Sequence, residues 1–480
     1  MENESKASKN PFRRLSNLDL TSGNLFLKLG IFALPIALTT ILQLLYSTVD
    51  LASVHFWGSG ENAASAISGN QALINLVVIL FVSVSIGANV AIGNALGAKK
   101  QEHAQKVLHT SLIFSLFSGI VVGIAGYFAT PFLLDLIGIE PLFEEDATTY
   151  MQIYFIGLPL LMVYDFGAQI NRAIGDSTTP FIILLISGLL NVLFDFLFVY
   201  YGKLNVAGVA WATVISEGVS AFLVVLTFFL QKKRFVHLSW KEMRIDPKSL
   251  TEILKIGLPA GLQGFFFALP NTFIQSALYQ IGAGNTDLEN GAIAANSINN
   301  YYYAFCEATS SATMAVTAIN YGAHNKENIK KAFWYGLLWC MITHVIYSLL
   351  IATCYRPMLS LFVNYENDAA IEAGKQRLWL VGFSYILDCA MDVMSGSMKG
   401  CRHTMAPAII TAITCTGIRI LMIETMILRI DAMRTVLWLY SVYPISWVFA
   451  CIADVIAMPR IWKKEFHKMD ESKTAEDTAA

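Results

Sequence analysis

Charge is scarce in this sequence. Asp, Glu, Lys and Arg together make up 14% of its 480 residues, where a soluble domain carries roughly a quarter. That excludes an ordinary water-facing surface. No long polar linker divides the chain, although a soluble protein of this length would be expected to split into domains. Cysteine is sparse and unpatterned. The seven residues, at 306, 340, 354, 389, 401, 415 and 451, all lie in the second half, and none forms a CxxC pair. Most sit in apolar runs, where Cys acts as a small hydrophobe, so neither a disulfide framework nor a zinc site is expected. Also missing are a nucleotide-binding loop, an HExxH motif and a nucleophile elbow, so the chain is not read as an enzyme and no cofactor is expected. The net charge of −2 carries no sign of a nucleic-acid partner, and none is expected.

What the chain has is apolar length. It is 55% hydrophobic, with a mean hydropathy of +0.54, and its 30 Phe, 19 Tyr and 9 Trp suit a protein solvated by lipid and anchored at interfaces. A membrane span needs about 20 mostly apolar residues. Twelve such runs are predicted, at 27–54, 63–91, 107–129, 148–171, 180–201, 207–231, 253–280, 292–320, 332–354, 376–398, 407–428 and 435–458. Pro180 and Pro407 read as first-turn prolines, while Pro35, Pro159, Pro259, Pro270 and Pro444 are kinks of the kind membrane helices tolerate. The lipid bilayer is therefore the expected surrounding.

The segment 1–24 is polar and basic, and the apolar run after it is too long for a signal-peptide core. With the amino terminus inside, most Lys and Arg fall in alternate, inner segments: Arg13 and Arg14, Lys99 and Lys100, Arg234 to Lys248, Lys326 to Lys331, and Arg460 to Lys473. The outer segments hold only Lys203, Arg356, Lys375, Arg377, Arg429 and Arg434, and the outer loop 135–146 is acidic. This asymmetry predicts a plasma (inner) membrane protein with both termini cytoplasmic. The predicted organisation is a cytoplasmic segment 1–24, a first six-helix lobe 25–231, a linker 232–252, a second lobe 253–458 and a cytoplasmic tail 459–480. The linker is too short for an ATPase domain, so energy must come from an ion gradient or a partner protein.

The halves repeat. Arg172-Ala-Ile-Gly-Asp-Ser-Thr-Thr-Pro180 matches Lys399-Gly-Cys-Arg-His-Thr-Met-Ala-Pro407, and Leu27-Lys-Leu-Gly30 matches Leu254-Lys-Ile-Gly257 at the same interval. Asn94-Ala-Leu-Gly-Ala-Lys-Lys resembles Asn320-Tyr-Gly-Ala-His-Asn-Lys, and Ala63-Ala-Ser-Ala-Ile67 resembles Ala294-Ala-Asn-Ser-Ile298. Six spans separate the copies, so both halves share one orientation. The predicted fold class is all-α integral membrane, with twelve transmembrane helices in two parallel-repeat six-helix bundles.

Taken in order, these pieces resemble the multidrug and toxic compound extrusion (MATE) family over nearly the whole chain. The resemblance rests on Leu34-Pro35 with Val49-Asp50, Gly97-Ala98, Arg172-Ala-Ile-Gly-Asp176 with Pro180, and Asn191-Val-Leu-Phe-Asp195. It continues through Gly257-Leu-Pro-Ala-Gly261, Gly322-Ala323 and Gly396-Ser-Met-Lys-Gly400. It implies a V-shaped, two-lobed molecule with a central cavity, exporting organic cations in exchange for protons or sodium ions. It also implies that the acids matching spans one and five, Asp50 and Asp195, belong to the coupling site.

An ionisable residue deep in a span is costly unless it pairs or meets water, which makes it a functional candidate. Asp50 and Asp195 lie late in spans that run the same way, so both carboxyls are expected at similar depth in the outer half of the first lobe. Asn191 shares a helix face with Asp195. The three could bind a proton, or Na+ through oxygen ligands; the bland reading is polar glue between helices. Tyr46 shares the Asp50 face, with Gln43 a turn behind. In the second half, Asp388 on span ten lies at a depth comparable with Arg419 on span eleven, with Asp392 one turn below Asp388. A functional acid and a structural ion pair are equally good readings there. Some family members carry an acid in span seven where this chain has Phe267, which leans the reading toward the first-lobe site and toward protons.

Asp165, Glu217, Glu307 and Glu424 are further intramembrane acids. Glu307 beside Tyr303 could hold a lipophilic cation, although an interfacial tyrosine belt with a helix-pairing Glu is the commoner case. Asp176 and His403 read as turn or solvated residues, and Gly93 to Gly97 as a packing face. The expected activity is secondary active efflux of small organic cations by alternating access of a monomer. The alternative is a flippase for lipid-linked oligosaccharide or another lipid of the same superfamily. A flippase would line its cavity with basic residues for phosphate, whereas Arg419 reads as the only basic residue deep in a span.

Overall fold

The computed structural model describes residues 18–58, 67, 74, 78–137, 141–231, 234–282 and 284–479. The amino-terminal segment before Leu18, most of the first part of predicted span two and most of the Ala63–Ile67 repeat lie outside them. Among the described residues the protein is helical throughout, without strands. The helices are α1 Leu25–Trp57, α2 Val78–Gly97, α3 Gln101–Ile137, α4 Glu144–Ala173, α5 Thr178–Tyr201 and α6 Asn205–Leu230, then α7 Pro247–Gly282, α8 Thr286–Gly322, α9 Lys326–Leu359, α10 Asp368–Gly400, α11 Met405–Ile427 and α12 Val436–Ala479.

Eleven of these are long and apolar enough to cross a membrane. The other is α8, at the place of predicted span eight. Its run of Asn, Ser, Thr and Glu lowers its hydropathy, and its small residues let neighbours approach closely. Gly291 faces the Ala370 carbonyl of α10, and Ser310 faces Gly396 there. The outward surfaces are apolar, as lipid solvation requires: Phe128 on α3 is 78% exposed, and Val345, Ile346 and Leu349 on α9 are also exposed. This is an all-α, multi-pass integral membrane protein.

The chain forms two compact units. One takes Leu38–Gly261 with the segment ending at Leu20, and the other takes Thr21–Ala37 with Leu262–Ala480. Both α1 and α7 therefore contribute to each unit, and in each a proline, Pro35 or Pro259, lies just before the change. Local packing explains the division. Phe26 stacks on Trp339 of α9 at 5.0 Å, and the Trp339 indole donates to the Phe26 carbonyl at 2.9 Å. The start of α7 is held to α2 where Gly87 and Gly257 allow backbones to meet; a Cβ on Gly87 would strike the Ile253 carbonyl.

The first unit's core includes Ile92, Phe155, Phe166 and Phe228, and the second's includes Ile298, Met391, Tyr440 and Trp447. The linker after α6 is pinned to the first unit. The Ser239 amide donates to His109 at 3.1 Å, and the Asp246 amide to Thr110 at 3.0 Å. Asp246 then caps α7 by accepting from the Ser249 amide and hydroxyl, both at 2.8 Å, which holds its carboxyl below the usual range.

Three expectations need correction. Cys340 on α9 and Cys389 on α10 are joined as a disulfide, with Cα atoms 6.1 Å apart. Asp176 lies in the turn before α5, as expected, but it is not solvated: it is fully buried, ion-paired to Arg234 of the linker, and caps α5 through the Thr178 and Thr179 amides. Arg377, placed with the outer loops, is 5% exposed inside the second unit, donating to Asn296 at 2.7 Å over the Tyr440 ring.

Candidate functional site

Asp50 on α1 and Asp195 on α5 come together inside the first unit. Asp50 is 8% exposed and Asp195 is fully buried. Their carboxyls face each other closely enough to share a proton, and Asn191, a turn before Asp195, lies near Asp50. Thr213 of α6 donates its hydroxyl to Asp50 Oδ2 at 3.3 Å, and Ser53, a turn after Asp50, faces Asp195. One oxygen of Asp50, both of Asp195 and the amide oxygen of Asn191 are buried without a hydrogen-bond partner among the described residues.

That pattern has a chemical consequence. Carboxylates accept and cannot donate, so two facing carboxylates repel and leave their lone pairs unmet in a low-dielectric interior. A shared proton turns the repulsion into a hydrogen bond. A sodium ion would take the same oxygens, since hard cations favour carboxylate, amide and hydroxyl oxygen. The helix supports such a geometry: α5 widens to a π-helical stretch at Phe196–Tyr201, immediately after Asp195, and such bulges gather at functional sites. Tyr46 lies beside this site with its hydroxyl directed at the Leu184 carbonyl, 3.3 Å away, and its ring fills the space left by Gly188. Gln43 is exposed on the same helix.

The second unit is arranged differently. Asp388 is fully buried, neither of its oxygens has a partner among the described residues, and the Trp447 indole lies beside it. Arg419 is also fully buried, but it turns elsewhere. Its Nε donates to Ser446 at 2.8 Å, and its guanidinium lies 4.7 Å from the Tyr443 ring centre, with Trp447 and Phe267 close by. No ion pair of 4 Å or less joins Asp388 to Arg419. Phe267, which stands where some relatives carry an acid, thus serves as part of an aromatic box for the guanidinium. Tyr303 stacks on the other side of this region against Phe267 at 6.0 Å, while Glu307 is exposed. Asp392 is half-buried, with Lys399 and Asp454 of α12 in its electrostatic surroundings.

Sequence reasoning missed several of these groups. Ser53 could have been found from its position three residues after Asp50, and Asp454 from its place in an apolar run. Thr213 carries no such signal, because hydroxyl residues are common in spans. The repeat also holds a detail now visible: Asp165 and Arg172 stand at the same interval from each other as Asp392 and Lys399, at equivalent places in the two halves. No group of three or more His, Cys, Asp or Glu suited to a metal ion occurs among the described residues.

The MatE family model matches this chain once in each half, at residues 35–197 and 259–423. A probable multidrug resistance protein of Bacillus subtilis, YoeA, is 24% identical over 444 residues, covering 91% of this chain and 94% of the relative. The multidrug export protein MepA of Staphylococcus saprophyticus is 24% identical over 71% of this chain and 73% of its own. Among solved structures, the outward-facing conformation of a multidrug resistance MATE family transporter of the MOP superfamily matches with a TM-score of 0.83 at 20% identity. That match covers 94% of this chain and 98% of the other. A MOP superfamily transporter from Pyrococcus furiosus matches with a TM-score of 0.82, also at 20% identity and the same coverage. At such identity the likeness shows the fold.

Proposed function

We propose, from the premise that the chain belongs to the MatE family of membrane transporters, that it exports small organic cations in exchange for protons or sodium ions. It is a transporter and not an enzyme. In the proposed cycle, a proton or Na+ entering from outside settles among Asp50, Asn191 and Asp195, with Thr213 as a fourth oxygen. The first unit then repacks around the neutralised pair and substrate leaves outward. Coupling needs only that ion and substrate favour opposite states or compete for one site.

The observation that carries this reading is the pair of facing, buried carboxyls, three of whose four oxygens lack a donor among the described residues. A structural polar contact would satisfy them; a loading site leaves them for the ion. The Bacillus relative is named a probable multidrug resistance protein and the Staphylococcus relative a multidrug export protein, which supports a broad substrate class. On this reading the protein works as a monomer in the plasma membrane with both termini cytoplasmic. Gln43, Tyr46, Tyr303 and Glu307 are its substrate-contact candidates, and Asp388, Asp392 and Arg419 its second-unit candidates.

The test is ethidium movement in proteoliposomes under an imposed proton gradient, an imposed sodium gradient, or neither. Movement driven by one gradient and lost in Asp50→Asn is expected. Movement that ignores both gradients would overturn the exchange mechanism. A flippase is the second reading, favoured by the two buried arginines, Arg377 and Arg419, that could meet a phosphate. Transfer of a fluorescent lipid-linked phosphate between leaflets, without dye transport, would put that reading first.

A further inference from the structure

The last helix carries one continuous stripe that changes character along its length. Phe449, Ile452 and Ile456 are each about half exposed, and Arg460, Lys463 and His467 follow at spacings of three and four, so all six share one helical face. α12 runs 44 residues, Val436–Ala479, about twice what crossing the hydrocarbon core requires at 1.5 Å per residue. The apolar part of the stripe therefore lies against acyl chains, and the basic part begins at the headgroups.

The orientation of this face is fixed by what the opposite face does. Met469 packs with Ile329 and Cys401. Glu465 is buried, accepting from the Tyr321 hydroxyl at 2.7 Å and pairing with His403 at 2.9 Å. On the exposed side, Arg460, Lys463, Lys464, His467 and Lys468 line an open, shallow stretch of the helix surface. Lys468 is paired to Glu465 and His467 to Glu471. The side chains of Arg460, Lys463 and Lys464 are exposed, and none has an ion pair or hydrogen bond among the described residues.

Three unpaired cations within two turns, at the end of an exposed apolar stripe, are suited to a phosphodiester anion with hydrocarbon attached. We infer that this face of α12 is a binding site for an anionic phospholipid of the phosphatidylglycerol type. Its phosphate lies among Arg460, Lys463 and Lys464, and an acyl chain runs along Phe449, Ile452 and Ile456. A bound lipid holds the end of α12 at the interface, so the contacts of Glu465 on its other face are held as well. The inference rests on the membrane topology of α12 and is independent of what the protein transports.

The experiment uses the purified full chain in mild detergent. Retention of phosphatidylglycerol against phosphatidylcholine is read by native mass spectrometry, and the melting temperature is read with each lipid and with inorganic phosphate. Phosphatidylglycerol is expected to be retained and to raise the melting temperature, while phosphatidylcholine and phosphate are not. In Arg460→Gln/Lys463→Gln/Lys464→Gln, retention should fall at least tenfold, with melting in phosphatidylcholine unchanged. Equal retention of both lipids, or an unaltered triple variant, would overturn the site. Stabilisation by phosphate equal to that by lipid would overturn the lipid assignment. If the triple variant fails to fold, single Lys463→Gln and Lys464→Gln variants should each lose about fivefold, and no loss in either overturns it.

Discussion

Replacing Asp195 with Asn separates a loading site from a structural contact, because the two roles move stability in opposite directions. Two unit charges about 4 Å apart interact by about 4 kcal/mol at an effective dielectric near 20. Asp50 and Asp195 face each other in a buried setting, and neither oxygen of Asp195 has a partner among the described residues to offset that repulsion. Asp195→Asn removes one charge and supplies an amide that can donate to Asp50. With the ion withheld, at alkaline pH and without Na+, the variant should therefore be more heat-stable than the parent, by at least about 1 kcal/mol once relaxation takes most of the repulsion. Proton or Na+ should stabilise the parent and leave the variant unmoved. Gradient-driven dye efflux should fall about a hundredfold, since the ion no longer changes the energy of the state it enters. The assay is a thermal-shift series across pH and Na+, paired with proteoliposome efflux. A variant that melts lower than the parent in every condition would refute the reasoning and make Asp195 a structural contact.

Other perturbations test separate parts of the account. Thr213→Val removes the hydroxyl that reaches Asp50 and should weaken the ion dependence of efflux about fivefold, the value of about 1 kcal/mol for one hydrogen bond, read as a shift in the half-saturating ion concentration. Arg234→Gln leaves the fully buried Asp176 without its partner and should cost about 3–5 kcal/mol in stability, read as a large drop in melting temperature; an unchanged melt would contradict the buried ion pair. In the second unit, Asp388→Asn should reduce efflux more than Arg419→Gln, because the two side chains do not pair. Equal losses in activity would restore a joint structural role.

Much of this molecule can be read from its sequence, and the parts that cannot share a cause. Apolar length marks spans without ambiguity, because nothing else in the chain needs runs such as 180–201 or 332–354. The α8 helix is less apolar, and its place follows from the repeat of Asn320 to Lys326 with Asn94 to Lys100. Asp50 and Asp195 stand out because acids are costly in lipid, and the structure brings them together as their depths suggest. Depth near the end of a span is harder to judge. Arg377 and Asp176 look like loop residues in sequence, yet both are buried, each held by a partner from another element, Asn296 or Arg234. The aromatic box around Arg419 was hidden for a similar reason. A cation can be tolerated by rings and a hydroxyl as well as by a carboxylate, and periodicity does not say which. The Cys340–Cys389 bridge joins positions 49 apart on neighbouring helices, and no spacing rule reaches that far.

Exchange is the central claim, and the most direct measurement reverses its direction. Proteoliposomes would be given a gradient of organic cation alone, with no proton or sodium gradient, and the ion content of the lumen followed with a pH dye and with ²²Na+. The account predicts movement of one of these ions against the substrate flow, absent in Asp50→Asn and in Asp195→Asn. Substrate movement with neither ion moving in the parent protein would contradict it.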